Sequence, residues 1–348
     1  MSDATSRGLW GLLLLSLACA PAPDDGSAPE ASSGDEAPEP VPMFEDEEEA
    51  QLPERHPASP DVAAAEDVLR SGDLPEAERL FRAAVAAAPE DPRAQLDLGL
   101  TLELQNRWIE AEQAYRATLA LDPEFPEALN NLGVLLRDQE RPEEAAAMLR
   151  RAVASEPRYG DAWLNLALAL EESGDDGAAR DAYREAVRHL PNDAAARANF
   201  GLLLVRLGEN DPAAIELTRA LRLARQSRDA ATAAAVGNGL RRLGEGASAA
   251  RALTLAIELN GPTPALLAER ALAENAAGDK AGAEASLAEA LELDPAFATA
   301  HYLLGGLKAG RGAYAEAVAH YEAYLRLAPE GPQAARARER LAAARARQ

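Results

Sequence analysis

Few residues of this chain are of a type that does chemistry, and their spacing argues against an enzyme. The 348-residue sequence holds four histidines, His56, His189, His301 and His320, and a single cysteine, Cys19. No His-Glu-x-x-His string sets two imidazoles beside a general base on one helix face, as a zinc hydrolase needs. One thiol excludes an internal disulfide framework and a cysteine-based metal cluster. The stretch Gly305–Gly312, reading GGLKAGRG, has the glycines of a phosphate loop but not its Gly-Lys-Ser/Thr ending. No catalytic residue, cofactor or metal ligand is therefore assigned. The side chains that do fall in register are carboxamides: Asn131, Asn165 and Asn199 are each 34 residues apart. A carboxamide donates and accepts at once, so a row of them can pair with an extended peptide backbone without reading its side chains.

That interval belongs to the whole chain. Pro89, Pro123, Pro157 and Pro191 are spaced by 34, as are Pro295 and Pro329. Twelve residues before these prolines stand Ala77, Ala111, Ala145, Ala179, Ala283 and Ala317; Ala213 and Ala249 fill the gap, with a two-residue insertion between them. Four residues after each alanine comes a large side chain: Phe81, Tyr115, Leu149, Tyr183, Leu217, Leu253, Leu287 and Tyr321. Leu98-Gly99, Leu132-Gly133 and Leu304-Gly305 share a further column, which Ala167, Gly201 and Gly237 continue. Small residues in these columns allow close helix approach, and the large residue is expected to fill the next gap between helices. Gly72, Gly174, Gly208, Gly244, Gly278 and Gly312 fall where a first helix should end in the left-handed conformation. Proline then stops the second helix.

The pattern Trp-x-x-Leu-Gly, Ala-x-x-x-Phe, Pro resembles the tetratricopeptide repeat. Its fullest copy runs Trp163, Leu166, Ala167, Leu170, Ala179, Tyr183, Ala186, Pro191. The resemblance implies an all-α, right-handed superhelical solenoid of about eight helical hairpins. The repeats are 58–91, 92–125, 126–159, 160–193, 194–229, 230–263, 264–297 and 298–331, and residues 332–348 form a C-terminal capping helix. In that family the first helix of each hairpin lines a concave groove that binds partner proteins or peptides, and some members hold peptides by asparagine ladders; asparagine is also common in this column for packing alone. Here the groove would carry Asn130, Asn131, Asn165 and Asn199, with Glu127, Asp161, Glu171 and Glu172 making its middle acidic and polar. Leu164 and Leu168 would add apolar contact, and Arg206, Arg241 and Arg242 would make its later part basic. The Lys and Arg set of a carboxylate clamp is missing. His301 takes a column usually filled by an apolar or aromatic residue, which reads as packing.

The amino terminus reads as an address. Arg7 precedes an apolar run, Gly8 to Ala18, that is shorter than the roughly 20 residues a membrane-spanning helix takes. A charged start, a short apolar stretch and small residues form a secretory signal pattern. Ser16-Leu17-Ala18-Cys19 resembles a bacterial lipoprotein signal, although Ser16 replaces the usual branched aliphatic and Asp3 weakens the positive start. The resemblance implies cleavage, a lipid on Cys19 and, with Ala20 following, an outer-membrane location; an ordinary cleaved signal and an uncleaved anchor are the alternatives. Residues 20–57 are rich in proline and acid, including Glu45-Asp46-Glu47-Glu48-Glu49, and poor in large apolar side chains. They read as a disordered spacer with a span on the order of 35 Å, or else as acidic bait for a basic partner.

Charge narrows the partners. The net charge is −23; residues 1–57 hold 13 acids against Arg7 and Arg55, a balance of −11, and the rest carries −12. Phosphate neutralisation needs clustered Lys and Arg, so nucleic acid is excluded as a partner. An anionic lipid surface would repel the chain, so membrane attachment rests on the lipid at Cys19. The expected role is a lipid-anchored scaffold in the envelope, with a pilotin-like part as one version. A peptidoglycan-associated adaptor that recruits a hydrolase and an accessory subunit of a separate enzyme are the alternatives.

Overall fold

Short helices that start and stop at fixed residues dominate this chain because its caps are written into the repeat. Asp73, Asp91, Asp175, Asp193, Asp229 and Asp279 each accept a backbone N–H of the helix they precede, and Ser59 and Thr263 do the same. Pro92, Pro126, Pro142 and Pro264 open helices at a position where no N–H is needed. The computed structural model describes residues 58–348. Cys19, with the signal-like and proline-rich segments around it, lies outside them.

Seventeen helices follow one another among the described residues. The first four hairpins are α1 (Pro60–Ser71) with α2 (Leu74–Ala87), α3 (Pro92–Leu104) with α4 (Trp108–Leu121), α5 (Pro126–Asp138) with α6 (Pro142–Ser155), and α7 (Gly160–Glu172) with α8 (Asp176–His189). The next four are α9 (Ala194–Leu207) with α10 (Asn210–Ser227), α11 (Ala230–Arg242) with α12 (Gly246–Asn260), α13 (Pro264–Ala276) with α14 (Lys280–Leu293), and α15 (Ala298–Gly310) with α16 (Tyr314–Leu327). The last helix, α17 (Ala334–Arg345), packs on α16 and buries Ala334, Ala337, Leu341 and Ala344 there. The fold is an all-α superhelical repeat. The two-residue insertion is taken up in α10, which has 18 residues where α8 has 14. Arg225 stands there in the proline column, so nothing stops the helix until Arg228, at φ 58°.

Within a hairpin the large column packs on the small one of its own hairpin, and it also reaches the next repeat, where Tyr183 stacks on Phe200 and Leu217 lies against Gly239. A Cβ added to Gly133 would lie 2.5 Å from Leu149 Cγ, and one added to Gly99 would lie 2.6 Å from the Tyr115 ring. Gly201 and Gly237 stand in the same relation to Leu217 and Leu253. Phe81, Tyr115, Leu149 and Tyr183 are fully buried by this contact, each worth about 2–3 kcal/mol in apolar area removed from water. The turn column holds the left-handed conformation throughout: Asn106 and Glu140, both at φ 61°, adopt it where other repeats have glycine.

Candidate functional site

The first helix of a hairpin packs on its own second helix, and also reaches the first helix of the next hairpin. Contacts α1–α3, α5–α7, α9–α11, α11–α13 and α13–α15 are of this kind, and second helices do not match them. The odd-numbered helices α1 to α15 therefore line the inner side of the stack. Any ligand taken along the array meets their side chains.

Asn131, Asn165 and Asn199 lie on α5, α7 and α9, each half-buried two residues before the small column. Part of their hydrogen-bonding capacity is used within the protein. Asn165 Nδ2 donates to Asn130 Oδ1 at 2.9 Å, and Asn130 Nδ2 donates to Asn131 Oδ1 at 3.3 Å. Asn130 is buried, so its amide is the rung that ties α5 to α7. Asn131 also faces the Tyr115 hydroxyl, which donates to Glu103 Oε2 at 2.7 Å. One repeat earlier the same row holds Asp97, a buried carboxyl 3.1 Å from Arg93 Nε. Burial pushes Asp97 up to about 7; Arg93 opposes that, and Glu66, itself 3.0 Å from Arg93, adds to it. Farther along, the row passes Ala235 to Glu269 on α13.

Glu127 is half-buried and Asp161 is exposed, both in the first turn of their helices. Leu164 is half-buried and Leu168 buried, so Leu168 offers little contact area. Arg206 does not make its part of the face basic: its guanidinium bonds Glu171 at 2.8 Å and Asp176 at 2.6 Å. Arg241 stands 3.2 Å from Glu269 Oε2, and Arg242 is exposed.

Five buried side-chain atoms of the described residues have no hydrogen-bond partner: Glu127 Oε2, Arg137 Nη1, Asn238 Oδ1, Arg241 Nε and Glu269 Oε2. All five belong to first helices, α5, α11 and α13. Glu269 approaches Arg241 without the alignment of a hydrogen bond. Arg137 is 9% exposed, with Asp138 at 3.4 Å and Glu172 at 3.8 Å. Sequence reasoning missed Arg137, Asn238 and Glu269. The signal was present: carried through the whole array, the row of Arg241 includes Arg137, that of Leu168 includes Asn238, and that of Asn131 includes Glu269.

The remaining features are less suited to a ligand. An open hollow between α13, α14, α15 and α17 is lined by Leu272, Lys280, Leu287, Tyr302, Leu307 and Arg340 among others. Among the described residues no three His, Cys, Asp or Glu side chains are grouped to hold a metal, and no helix is long and apolar enough to cross a membrane.

Two family models match the chain. The middle tetratricopeptide-like domain of cilia and flagella-associated protein 70 matches residues 63–191, and the tetratricopeptide repeat model matches 269–332. No curated protein matches. Among solved structures, MamA from Desulfovibrio magneticus RS-1 is 22% identical over 48% of this chain and 97% of its own, with a TM-score of 0.44. A tetratricopeptide repeat protein from Parabacteroides merdae is 18% identical over 73% of this chain and 98% of its own, with a TM-score of 0.48. YrrB, described as a tetratricopeptide protein with an unusual peptide-binding site, is 22% identical over 57% and 97%, with a TM-score of 0.46. At these values the likenesses say nothing of this chain's ligand.

Proposed function

We propose that this tetratricopeptide-repeat chain is a non-catalytic scaffold that takes a partner protein or an extended peptide along the inner face of its first helices, held at the outer membrane by a lipid on Cys19. One observation carries the binding half of this reading: every buried side-chain atom left without a hydrogen bond among the described residues belongs to a first helix. An unmade buried hydrogen bond costs about 1–3 kcal/mol, and native folds keep few of them. The five atoms alternate in kind along the array, with acceptors on Glu127, Asn238 and Glu269 and donors on Arg137 and Arg241. A peptide backbone presents both complements at once. Asn131, Asn165 and Asn199 lie on first helices too, so one extended segment running along them meets the half-buried carboxamides directly, and the buried unbonded groups join it by side-chain movement.

The anchor is supported by the sequence around Cys19: one basic residue, a short apolar run, and small residues up to the thiol. An acidic chain held by acyl groups presents its binding face to the compartment it enters, which suits an envelope-assembly role of the pilotin kind.

The binding reading is tested by replacing Asn131, Asn165 and Asn199 together with alanine. Affinity for a partner crosslinked to the native chain should fall about tenfold or more while helical circular dichroism is kept. Unaltered affinity would reduce the row to packing. Crosslinked capture of a secretin or pilin supports the assembly role, whereas a cell-wall hydrolase or a stoichiometric enzyme subunit replaces it. For the anchor, Cys19→Ser should abolish fatty-acid labelling, and labelling that persists removes the lipid.

A further inference from the structure

The last hairpin contains a pair of side chains that the binding face does not use. His301 on α15 and His320 on α16 face one another with 3.1 Å between their Nδ1 atoms. The ring centroids are 5.4 Å apart and the planes are tilted by 41°. His301 Nε2 lies 3.3 Å from the Pro295 carbonyl oxygen. Donation of its N–H to that oxygen fixes the tautomer and leaves a lone pair on Nδ1, directed at His320.

The corresponding pair of positions elsewhere shows how unusual this is. Leu129 with Met148 and Trp163 with Ala182 place apolar side chains there, and Leu267 with Ser286 adds one hydroxyl. Arg197 with Glu216 places an ion pair at 2.7 Å. Hairpin eight alone among the described hairpins offers two imidazoles.

We propose that His301 and His320 form a two-histidine site for a divalent first-row transition metal, bound through both Nδ1 atoms. Imidazole nitrogen sits about 2.0–2.1 Å from zinc. Two nitrogens on one ion, at angles between square and tetrahedral, are then about 2.9–3.4 Å apart, so the 3.1 Å spacing fits. The rings stand end to end, with centroids 5.4 Å apart, and each turns about its side-chain torsions by roughly 40° to bring both lone pairs onto the ion. The Pro295 carbonyl is the outer partner that ligating histidines characteristically have on their second nitrogen. Without metal, one Nδ1–H donates to the other Nδ1. With metal, the proton on that nitrogen moves through solvent to Nε2 of the same ring, so both rings stay neutral and both lone pairs point to the ion. The neighbouring cation does not compete: Lys308 Nζ is held by Glu284 at 3.1 Å and Glu316 at 2.8 Å. Both rings are partly exposed, which leaves the ion a path in and room for water to complete its coordination. The bound ion ties α15 to α16 next to the capping helix.

The test is titration of the full, untagged chain with Zn²⁺ and with Ni²⁺ by calorimetry, alongside nuclear magnetic resonance of the imidazole C–H signals. One ion should bind per pair, shift the signals of His301 and His320 and leave that of His189 in place, and raise the thermal midpoint. His301→Gln and His320→Gln should each weaken this binding by about tenfold or more, while His189→Gln should not. Circular dichroism confirms that each variant is folded. Binding that moves neither imidazole signal, as would follow from capture by the acidic segment at Glu45–Glu49, overturns the proposal, and so does binding unchanged in the His301→Gln, His320→Gln double variant.

Discussion

Hairpins two to six and the last two hairpins share one repeat frame and differ in what fills two of its columns. In hairpins two to four, Leu98, Leu132 and Leu166 fill one, and Leu102, Leu136 and Leu170 the other, all buried. In hairpin seven those positions are Arg270 and Glu274, linked through Ser286: Arg270 Nε donates to Ser286 Oγ at 2.9 Å, and Ser286 Oγ donates to Glu274 at 2.6 Å. In hairpin eight the second column is Lys308. Hairpins five and six keep buried apolar side chains in both columns, Phe200 with Leu204 and Val236 with Leu240, so the polar replacements are confined to the last two hairpins. A repeat array adds stability through each neighbour interface, so polar side chains in the core columns weaken the coupling of the last two hairpins to the rest. The difference teaches that one frame can carry an apolar core and, in its last hairpins, a polar one.

The largest effect expected is on the continuous core. Leu136→Ala should cost about 2–5 kcal/mol by the urea midpoint. Its hydrogen exchange should quicken across α3 to α8, and acceleration confined to α5 and α6 would deny that the core is shared. Next comes the polar network. Glu274→Ala leaves Arg270 short of a partner in a place only 17% exposed and should cost about 2 kcal/mol, below the range for a fully buried pair. Replacing Arg270 and Glu274 together with leucine should be neutral or stabilising by roughly 1–4 kcal/mol and should bring exchange in α13 and α14 closer to that in α5 and α6. A double variant less stable than the native chain would show that the network positions the helices.

A smaller effect separates the rows of the inner face. Asp97 holds its proton to higher pH in the folded state than in the unfolded one, because burial disfavours the charge. Between about pH 4 and 7 the folded state therefore binds more protons, and stability falls as pH rises through that window. Asp97→Asn, which extends the row of Asn131, should remove this fall, so that the variant gains relative to the native chain at pH 8 and not near pH 3. The smallest effect is at the turns. Glu140→Gly relieves a left-handed residue and should add about 0.5–1 kcal/mol, while Gly174→Ala, at φ 82°, should cost a similar amount. Effects of the same sign at both sites would mean that the turn column is not set by conformation.

Much of the fold was legible because each signal is local. Pro157, Gly174 and the Ala179–Tyr183 spacing each act within one helix or turn, and 34-residue periodicity multiplies them. The site was less legible. The row of Asn131, Asn165 and Asn199 could be counted along the chain, but the bond from Asn165 to Asn130 crosses between helices, and so does the capture of Arg206 by Glu171 and Asp176. His301 looked like a packing residue because its partner, His320, is 19 positions away on the opposite helix.

By itself, the sequence determined the repeat period, the helix starts and stops, the small and large columns, and which helix of each hairpin carries the polar rows. It also holds the signal-like segment ending at Cys19. The tertiary structure decided how polar groups in those rows are used: which carboxamides bond one another, which arginine is neutralised, and which atoms of Glu127, Arg137, Asn238, Arg241 and Glu269 are left without a hydrogen bond. The physical reason is reach. Caps, turns and amphipathic spacing act over a few residues, whereas a hydrogen bond between neighbouring helices is fixed to a fraction of an ångström by the packing of both.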